Sequence, residues 1–449
     1  MKELAVPSEQ IAAGPPKGAL GPPSRVRYQV LAFACVLAVV TYIQRLGFSS
    51  AAPAIKKSLG LYDDHMGYLA TAFLVAYGLF QVPGGLLGDR LGGRHVLTLL
   101  VLGWSLLTAA VALTVLLPAD VALCFTFLLV LRFLFGAFQA GGFPVIGRIM
   151  ADWMPVTERG FAQGAIWMLS RLGGTLIPFL FVWLFWQFGG WPIPFVLIGC
   201  LGVLWCAAFW PWFRNRPEEM AQVNRGERER IVAGRPPTSS QPRAVPWSRM
   251  AGSLSVWSLC LMYGCTGFSG NFFTNMLPLY LSEHRHLDHV ETAWLSALPL
   301  AAGAVACILG GSASDWLIRR TGNRTWGRRS VGAFGLALAA LAFLSANWVT
   351  ETWLLGLLLT VTFFGNDLSM GPAWAACADI GERYAGTLSG TMNMIGAFAG
   401  AAGTALAGYL FRHEQPGLVF LIFAGVYVLA SLCWLGVDVR KRLGDPTEL

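Results

Sequence analysis

Apolar runs of roughly twenty residues follow one another along this chain, separated by short polar loops whose charges are mostly arginine. A helix rises about 1.5 Å per residue, so a hydrocarbon layer about 30 Å thick takes about 20 apolar residues to cross. A soluble core could not hide 55% apolar residues beside only 12% charged ones at a mean hydropathy of +0.57. The solvent for most of this chain is therefore lipid. The 52 glycines and 18 tryptophans fit, because close helix contacts favour small residues and membrane interfaces favour amphipathic rings. Dividing the runs at charge and turn clusters predicts twelve transmembrane helices, at 28–50, 66–88, 96–117, 121–147, 160–186, 191–213, 256–281, 292–318, 330–348, 352–377, 386–410 and 417–437.

Basic residues in short loops stay on the cytoplasmic side, which sets the orientation. Arg90 and Arg94, Arg148 and Arg159, eight arginines from Arg214 to Arg249, five from Arg319 to Arg329, and Arg440 to Arg442 fall on one side of the predicted spans. The other side carries only Lys56, Lys57, Arg285 and Arg412. The fold class expected is an all-α membrane protein, with both termini cytoplasmic and two six-helix bundles at 28–213 and 256–440. Residues 1–27 are Pro/Gly-rich and lack the apolar core and cleavage site of a signal peptide, so they read as a disordered cytoplasmic tail. Residues 214–255 read as the linker between bundles and 441–449 as a second cytoplasmic tail. The linker arginines supply much of the net charge of +8, which reflects topology and anionic headgroups rather than nucleic acid. Nine cysteines are scattered singly without a CxxC pair, and all six histidines fall in or beside loops, so no metal or other cofactor is expected.

One loop signal occurs twice. Gly85, Asp89, Arg90 and Arg94 follow the second span, and Gly311, Asp315, Arg319 and Arg320 follow the eighth. An aspartate at a helix end facing basic residues of the next turn makes a latch that holds two halves together until they rock apart. Asp89, Arg90, Arg94, Asp315 and Arg319 are thus a candidate cytoplasmic gate; the plainer alternative is topological anchoring by arginine.

With these residues the chain resembles the major facilitator superfamily. Further stretches are similar to its anion:cation symporter family, which includes bacterial sugar-acid and organic-anion transporters and vesicular anion transporters. They are Tyr42-Ile-Gln-Arg45 with Ala51 to Ile55, Phe73 with Tyr77 and Gln81 to Gly85, Arg132 to Gly136 with Gln139, Phe143 and Pro144, and Arg159 to Gly164. In the second half they are Leu277 to Leu281, Gly310 to Asp315, Pro372 to Ile380, and Ala385 to Asn393. The resemblance implies the major facilitator fold, a small organic anion as substrate, and a carboxylate anchor at Arg45 with Tyr77 lining the same cavity; Tyr42 is a further candidate substrate-binding residue.

A charge near the bilayer centre costs at least about 2.5–3.5 kcal/mol on insertion scales, so each one is a functional candidate. Four stand out: Arg45, Arg132, Arg171 and Asp367. The positive excess suits an anion that a guanidinium grips with two parallel hydrogen bonds. Arg45 either binds substrate or is capped by carbonyls and water. Arg132 shapes the cavity or pairs helices, and Arg171 lines the cavity or packs the fifth span. Where proton-coupled relatives carry acids, beside the first-span arginine and in the fourth span, this chain has Gln44 and Gln139, candidate substrate-binding residues that hydrogen-bond but take up no proton. Asp367 remains as the deep carboxyl, either a permanent ion pair or a proton carrier. Asn271, Asn275, Trp374 and Asn393 complete the candidate pocket, since amides bond hydroxyls and a flat ring covers a sugar face.

The leading expectation is a monomeric secondary transporter of sugar acids or carboxylates in the plasma (inner) membrane, working by alternating access. It is facilitative because of the two glutamines, with a proton or other coupling ion through Asp367 as the alternative. A non-transporting sensor of organic anions is a further reading. No Ser/His/Asp or paired-carboxylate constellation lies within the spans, which argues against an enzyme.

Overall fold

Four of the helix breaks come just before a proline, while Pro53, Pro178 and Pro299 lie inside unbroken helices. In the computed structural model, which describes residues 22–233 and 244–443, nearly every element is helical and no strand occurs among those residues. The first half holds α1 (Val26–Leu59), α2 (Asp63–Leu79 continued by Gln81–Leu91), α3 (Gly93–Ala110), α4 (Val121–Ala140 continued by Gly142–Trp153), α5 (Arg159–Phe188) and α6 (Pro192–Trp212). The second holds α7 (Leu254–Asn275), α8 (His289–Thr321), α9 (Arg324–Ala346), α10 (Thr352–Leu368 continued by Met370–Gly381), α11 (Ala385–Arg412) and α12 (Pro416–Cys433). A proline within a helix has no N–H for the carbonyl four residues back and crowds that carbonyl. Accordingly α2 bends by 42° just before Pro83, α4 breaks at Gly141 before Pro144, α7 ends at Asn275 before Pro278, and α10 breaks at Ser369 before Pro372.

The packing repeats with an offset of six helices. In the first half α1 packs on α5, α2 on α4 and α3 on α6; in the second α7 packs on α11, α8 on α10 and α9 on α12. The halves meet where α5 crosses α8 and α2 crosses α11. Those crossings are backbone to backbone: a Cβ on Gly85 would lie 2.1 Å from the Gly386 carbonyl oxygen, and one on Gly311 2.0 Å from that of Gly160. Large apolar side chains such as Leu116, Phe179 and Trp186 face outward, the inverse of a water-soluble surface.

Nine stretches among the described residues are long and apolar enough to cross a membrane, ten counting bent α2. One of these, Thr352–Arg412, contains both α10 and α11, and α7 is outside the set. Several helices overrun the predicted spans. α1 continues past residue 50 to Leu59, because Lys56 and Lys57 in its last turn suit the negative end of the helix dipole and Gly60 then closes it in the left-handed conformation.

The expected tails and linker need correction where they are described; residues 1–21, 234–243 and 444–449 lie outside the described residues. Ser24 to Arg27 are anchored rather than trailing, and the linker contains a docked helix, Arg225–Val232. Glu227 of that helix is fully buried and accepts from Ser24 Oγ at 2.5 Å and from the Val26 and Arg27 amides at 3.1 Å each. It thereby caps the N-terminus of α1, where donors lack intrahelical partners. Arg27 also pairs with Glu158 at 2.9 Å, and Arg230 with the same carboxylate at 2.6 Å.

Candidate functional site

The Arg45 guanidinium lies over three rings, its Cζ 4.4 Å from the centroid of Tyr77, 5.2 Å from Tyr42 and 5.8 Å from Phe73. The i, i+4 spacing puts Phe73, Tyr77 and Gln81 on one face of α2. Arg45 Nε donates to Gln139 Oε1 at 2.7 Å, and Gln139 is itself oriented by donating to the Thr41 carbonyl at 3.2 Å. Arg45 Nη2 is buried with no protein acceptor among the described residues. A guanidinium held by aromatic faces and an amide keeps its fork for an oxyanion, whereas a carboxylate neighbour would already fill it. From the second half, Asn393 donates to Gln81 Oε1 at 2.8 Å and to the Tyr77 hydroxyl at 3.3 Å, tying α11 to α2 beside the arginine. Gln81 was not among the expected site residues, although its place one turn after Tyr77 was legible.

Arg171 of α5 reaches across to α10. Its Nε and Nη2 donate to the two oxygens of Asp367 at 2.7 and 2.9 Å, a side-on bidentate pair between halves. Asp367 also accepts from Asn366 Nδ2 at 3.0 Å. Of the two readings left open for Asp367, this geometry is that of the ion pair. The Tyr42 ring lies between the two arginines: it is under Arg45, and it packs on Gly174, one helical turn beyond Arg171.

Toward the arginine-rich end the site is floored by rings. Trp167 stacks on Phe143 at 4.8 Å, Trp374 lies 5.4 Å from Trp167, and Trp374 Nε1 donates to the Tyr263 hydroxyl at 3.2 Å. Toward the other end a cleft of about 450 Å³ runs between α1 and α5, starting at Leu46 and Gly174 and passing Ser49, Ser50 and Pro178. The rings thus close the site toward the arginine clusters, and the cleft lies on the opposite side, lined by neither Arg45 nor Arg171.

Several expected contributions change. Gln44 is turned into the first bundle, donating to the Ile198 carbonyl at 2.7 Å and to Ser105 Oγ at 3.2 Å, because it projects from α1 toward α3 and α6. Arg132 likewise faces a closed space of about 10 Å³ shared with Gln44, its Cζ over Phe48 at 4.5 Å and Phe73 at 4.7 Å. It shapes the wall behind Phe73 and forms no ion pair among the described residues. Trp374 is buried in the floor, Asn271 lies against Gly400 of α11, and Asn275 is exposed near Thr404. No group of acidic, histidine or cysteine residues suited to a metal occurs among the described residues.

A family model described as Major Facilitator Superfamily matches residues 34–404. The chain belongs to that superfamily. It is 32% identical over 426 residues to the probable sulfoacetate transporter of Cupriavidus necator, covering 94% of this chain and 96% of the relative. It is 28% identical to the probable galactarate/D-glucarate transporter of Escherichia coli, covering 91% and 92%. Among solved structures, the human organic anion transporter TETRAN superposes with a TM-score of 0.68 at 18% identity, over 92% of this chain and 100% of that one. The proton:xylose symporter gives 0.71 at 14%, over 92% and 96%. This is a multi-pass integral membrane transporter with the major facilitator fold, not an enzyme.

In this superfamily member the repeated aspartates do something other than meet the basic residues of their own loops. Asp89 of α2 accepts from the Gly386 amide at 2.9 Å and from the Thr387 amide and hydroxyl at 2.7 Å, so it sits on the N-terminus of α11. Asp315 of α8 accepts from the Gly160 and Phe161 amides at 3.1 and 2.7 Å, on the N-terminus of α5. Each half therefore places a carboxylate on the positive end of a helix in the other half, at the same two helical positions. Arg90 is exposed and Arg94 is bound to the Trp210 carbonyl; neither forms an ion pair with Asp89 among the described residues. Arg319 does cross the interface, donating to the Thr157 carbonyl at 3.1 Å. Beneath it Arg328, Asp315, Asp379 and Arg159 form a buried chain of pairs at 2.7, 3.2 and 2.7 Å, which the sequence did not single out.

Proposed function

We propose that this chain is a facilitative transporter of small organic anions, carboxylates or sugar acids, with Arg45 as the anchor. The observation that carries this reading is the Arg45 guanidinium, ringed by Tyr42, Phe73 and Tyr77, oriented by Gln139, and with its Nη2 unmatched by any protein acceptor among the described residues. The names of the bacterial relatives, sulfoacetate and galactarate/glucarate transporters, point to the same class of cargo. Tyr77, Gln81 and Asn393 supply hydrogen bonds beside the anchor, and Asn393 makes the site depend on both halves.

In this reading twelve spans divide into two bundles, the arginine-rich end and both termini face the cytoplasm, and the reciprocal caps of Asp89 and Asp315 are the inner gate. The conformation is then outward-facing: sealed at the gate, with the cleft between α1 and α5 on the opposite side. Alternating access requires the caps to separate as the outer ends close. Two features favour facilitation over proton symport. Gln44 and Gln139 take up no proton, and both oxygens of the deep carboxyl, Asp367, already accept from Arg171.

The test is counterflow in liposomes. Purified protein should exchange labelled glucarate or sulfoacetate against internal unlabelled anion, and Arg45→Gln should abolish the exchange. Binding without exchange in the wild-type protein would make it a sensor instead.

A further inference from the structure

The proposed anion site contains more positive charge than one acid group needs. Away from the helix ends, Arg171 pairs with Asp367, while Arg45 in the site and Arg132 in the wall behind Phe73 form no ion pair among the described residues, which leaves two positive charges without a carboxylate. A singly charged substrate leaves one of them uncompensated in a medium of low dielectric, whereas a doubly charged one brings the total to zero.

The second position for an acid group is already built. A guanidinium has five N–H donors in a planar fork. Asp367 occupies the side-on edge of Arg171, through Nε and one donor of Nη2, and fixes the plane of the group. The end-on edge, Nη1 with the second donor of Nη2, has no protein acceptor among the described residues. Unlike Arg45 Nη2, Nη1 is not among the sealed polar atoms, and the side chain is 17% exposed while Asp367 is fully buried. The pair is accommodated on the α8 side by Gly303, where a Cβ would lie 2.6 Å from Asp367 Oδ2. Phe363 and Trp167 flank the guanidinium with centroids 5.2 and 5.9 Å from Cζ. The cleft lined by Leu46 and Gly174 starts one residue after Arg45 and three after Arg171, and Tyr42 lies under Arg45 and packs on Gly174.

We propose that Arg171 is a second acid-binding residue, its fork aimed by Asp367, and that the site therefore selects organic anions bearing two acid groups, one for Arg45 and one for Arg171. This rests on the organic-anion reading above and adds the substrate's charge to it. Asp367 is a positioning residue here, acting through Arg171.

Glucarate and gluconate make a matched pair of probes, with the same carbon skeleton and two acid ends or one; sulfoacetate and acetate make a shorter pair. Titrating the purified full chain by calorimetry, the wild type should bind the doubly acidic member of at least one pair about tenfold or more tighter than its partner. Removing Arg171 alone strands a buried carboxylate and endangers folding, so the informative variant is the charge-neutral double Arg171→Gln with Asp367→Asn. Its preference should fall below about threefold, mainly through loss of the diacid. Asp367→Asn alone should also lower the ratio, whereas a purely structural role would weaken both anions alike. Arg45→Lys should weaken both members. A wild-type protein that binds mono- and diacids equally, or a double variant that keeps the preference, overturns the diacid proposal and leaves the organic-anion reading standing. A wild type that binds none of the four overturns both.

Discussion

The residues at the anion site work through geometry as much as through charge. Arg45 keeps an open fork because its neighbours are rings and an amide; Gln139 accepts from Nε without neutralising the group. Lysine at this position would preserve the charge and lose the planar fork and its fit over Tyr77. Arg45→Lys is therefore expected to weaken anion binding by about tenfold or more, read by calorimetry, with little change in ligand-free thermal stability. Equal affinity in that variant would exclude Arg45 as the anchor. Gln139→Glu would put a carboxylate 2.7 Å from Arg45 Nε, in the position of the amide oxygen. It should compete with the substrate at high pH, so binding should become pH-dependent and strengthen as the pH falls and the new acid is protonated. A flat binding profile across that range would show that the glutamine is not what keeps the fork free.

At the scale of single elements, helix ends carry the conformational logic. The first turns of α5 and α11 present unpaired amides, and each is satisfied by an aspartate from the opposite half. Gly386 permits this, since a Cβ there would lie 2.7 Å from both Asp89 Oδ1 and the Gly85 carbonyl oxygen. Gly386→Ala should prise α2 from α11 and shift the resting population toward opening at the arginine-rich end. Distances between spin labels on the ends of the two halves should lengthen; an unchanged distribution would remove the cap from the gate. The clamp made by the linker helix has a pH signature. Burial pushes the Glu158 carboxyl up, but its hydrogen bond to Arg27 and the charges of Arg27 and Arg230 outweigh this and hold it below the ordinary 4.5. A depressed acid stabilises the fold fully above its unfolded value, and that contribution drains away as the pH falls through the lower folded value. Hydrogen exchange in residues 24–30 and 225–232 should consequently rise on acidification below about pH 4.5, and Glu158→Gln should show the raised exchange already at neutral pH.

For the whole molecule the question is what drives the cycle. With Gln44 buried against α3 and α6 and Asp367 paired to Arg171, no free carboxylate faces the arginines among the described residues, so uptake should follow the anion gradient and the membrane potential. In liposomes with the voltage clamped by a potassium ionophore, an imposed proton gradient should produce no accumulation; accumulation would overturn facilitation, and its loss in Asp367→Asn would assign the proton. The sequence by itself determined the solvent, the α-helical class and the duplicated halves, because length, hydropathy and a repeated Gly-Asp-Arg signal are local properties. It also marked Arg45, since an arginine deep in an apolar run is visible without knowing its neighbours. It could not say which way a side chain faces on a helix that is apolar all round, which is why Gln44 was placed among the substrate-binding residues while Gln81 was passed over. Nor could it tell that Asp89 and Asp315 serve the helices of the opposite half, or that Arg171 meets Asp367. Those partners are separated by between 154 and 298 positions in the chain, and only the packing of one bundle against the other brings them within hydrogen-bond reach.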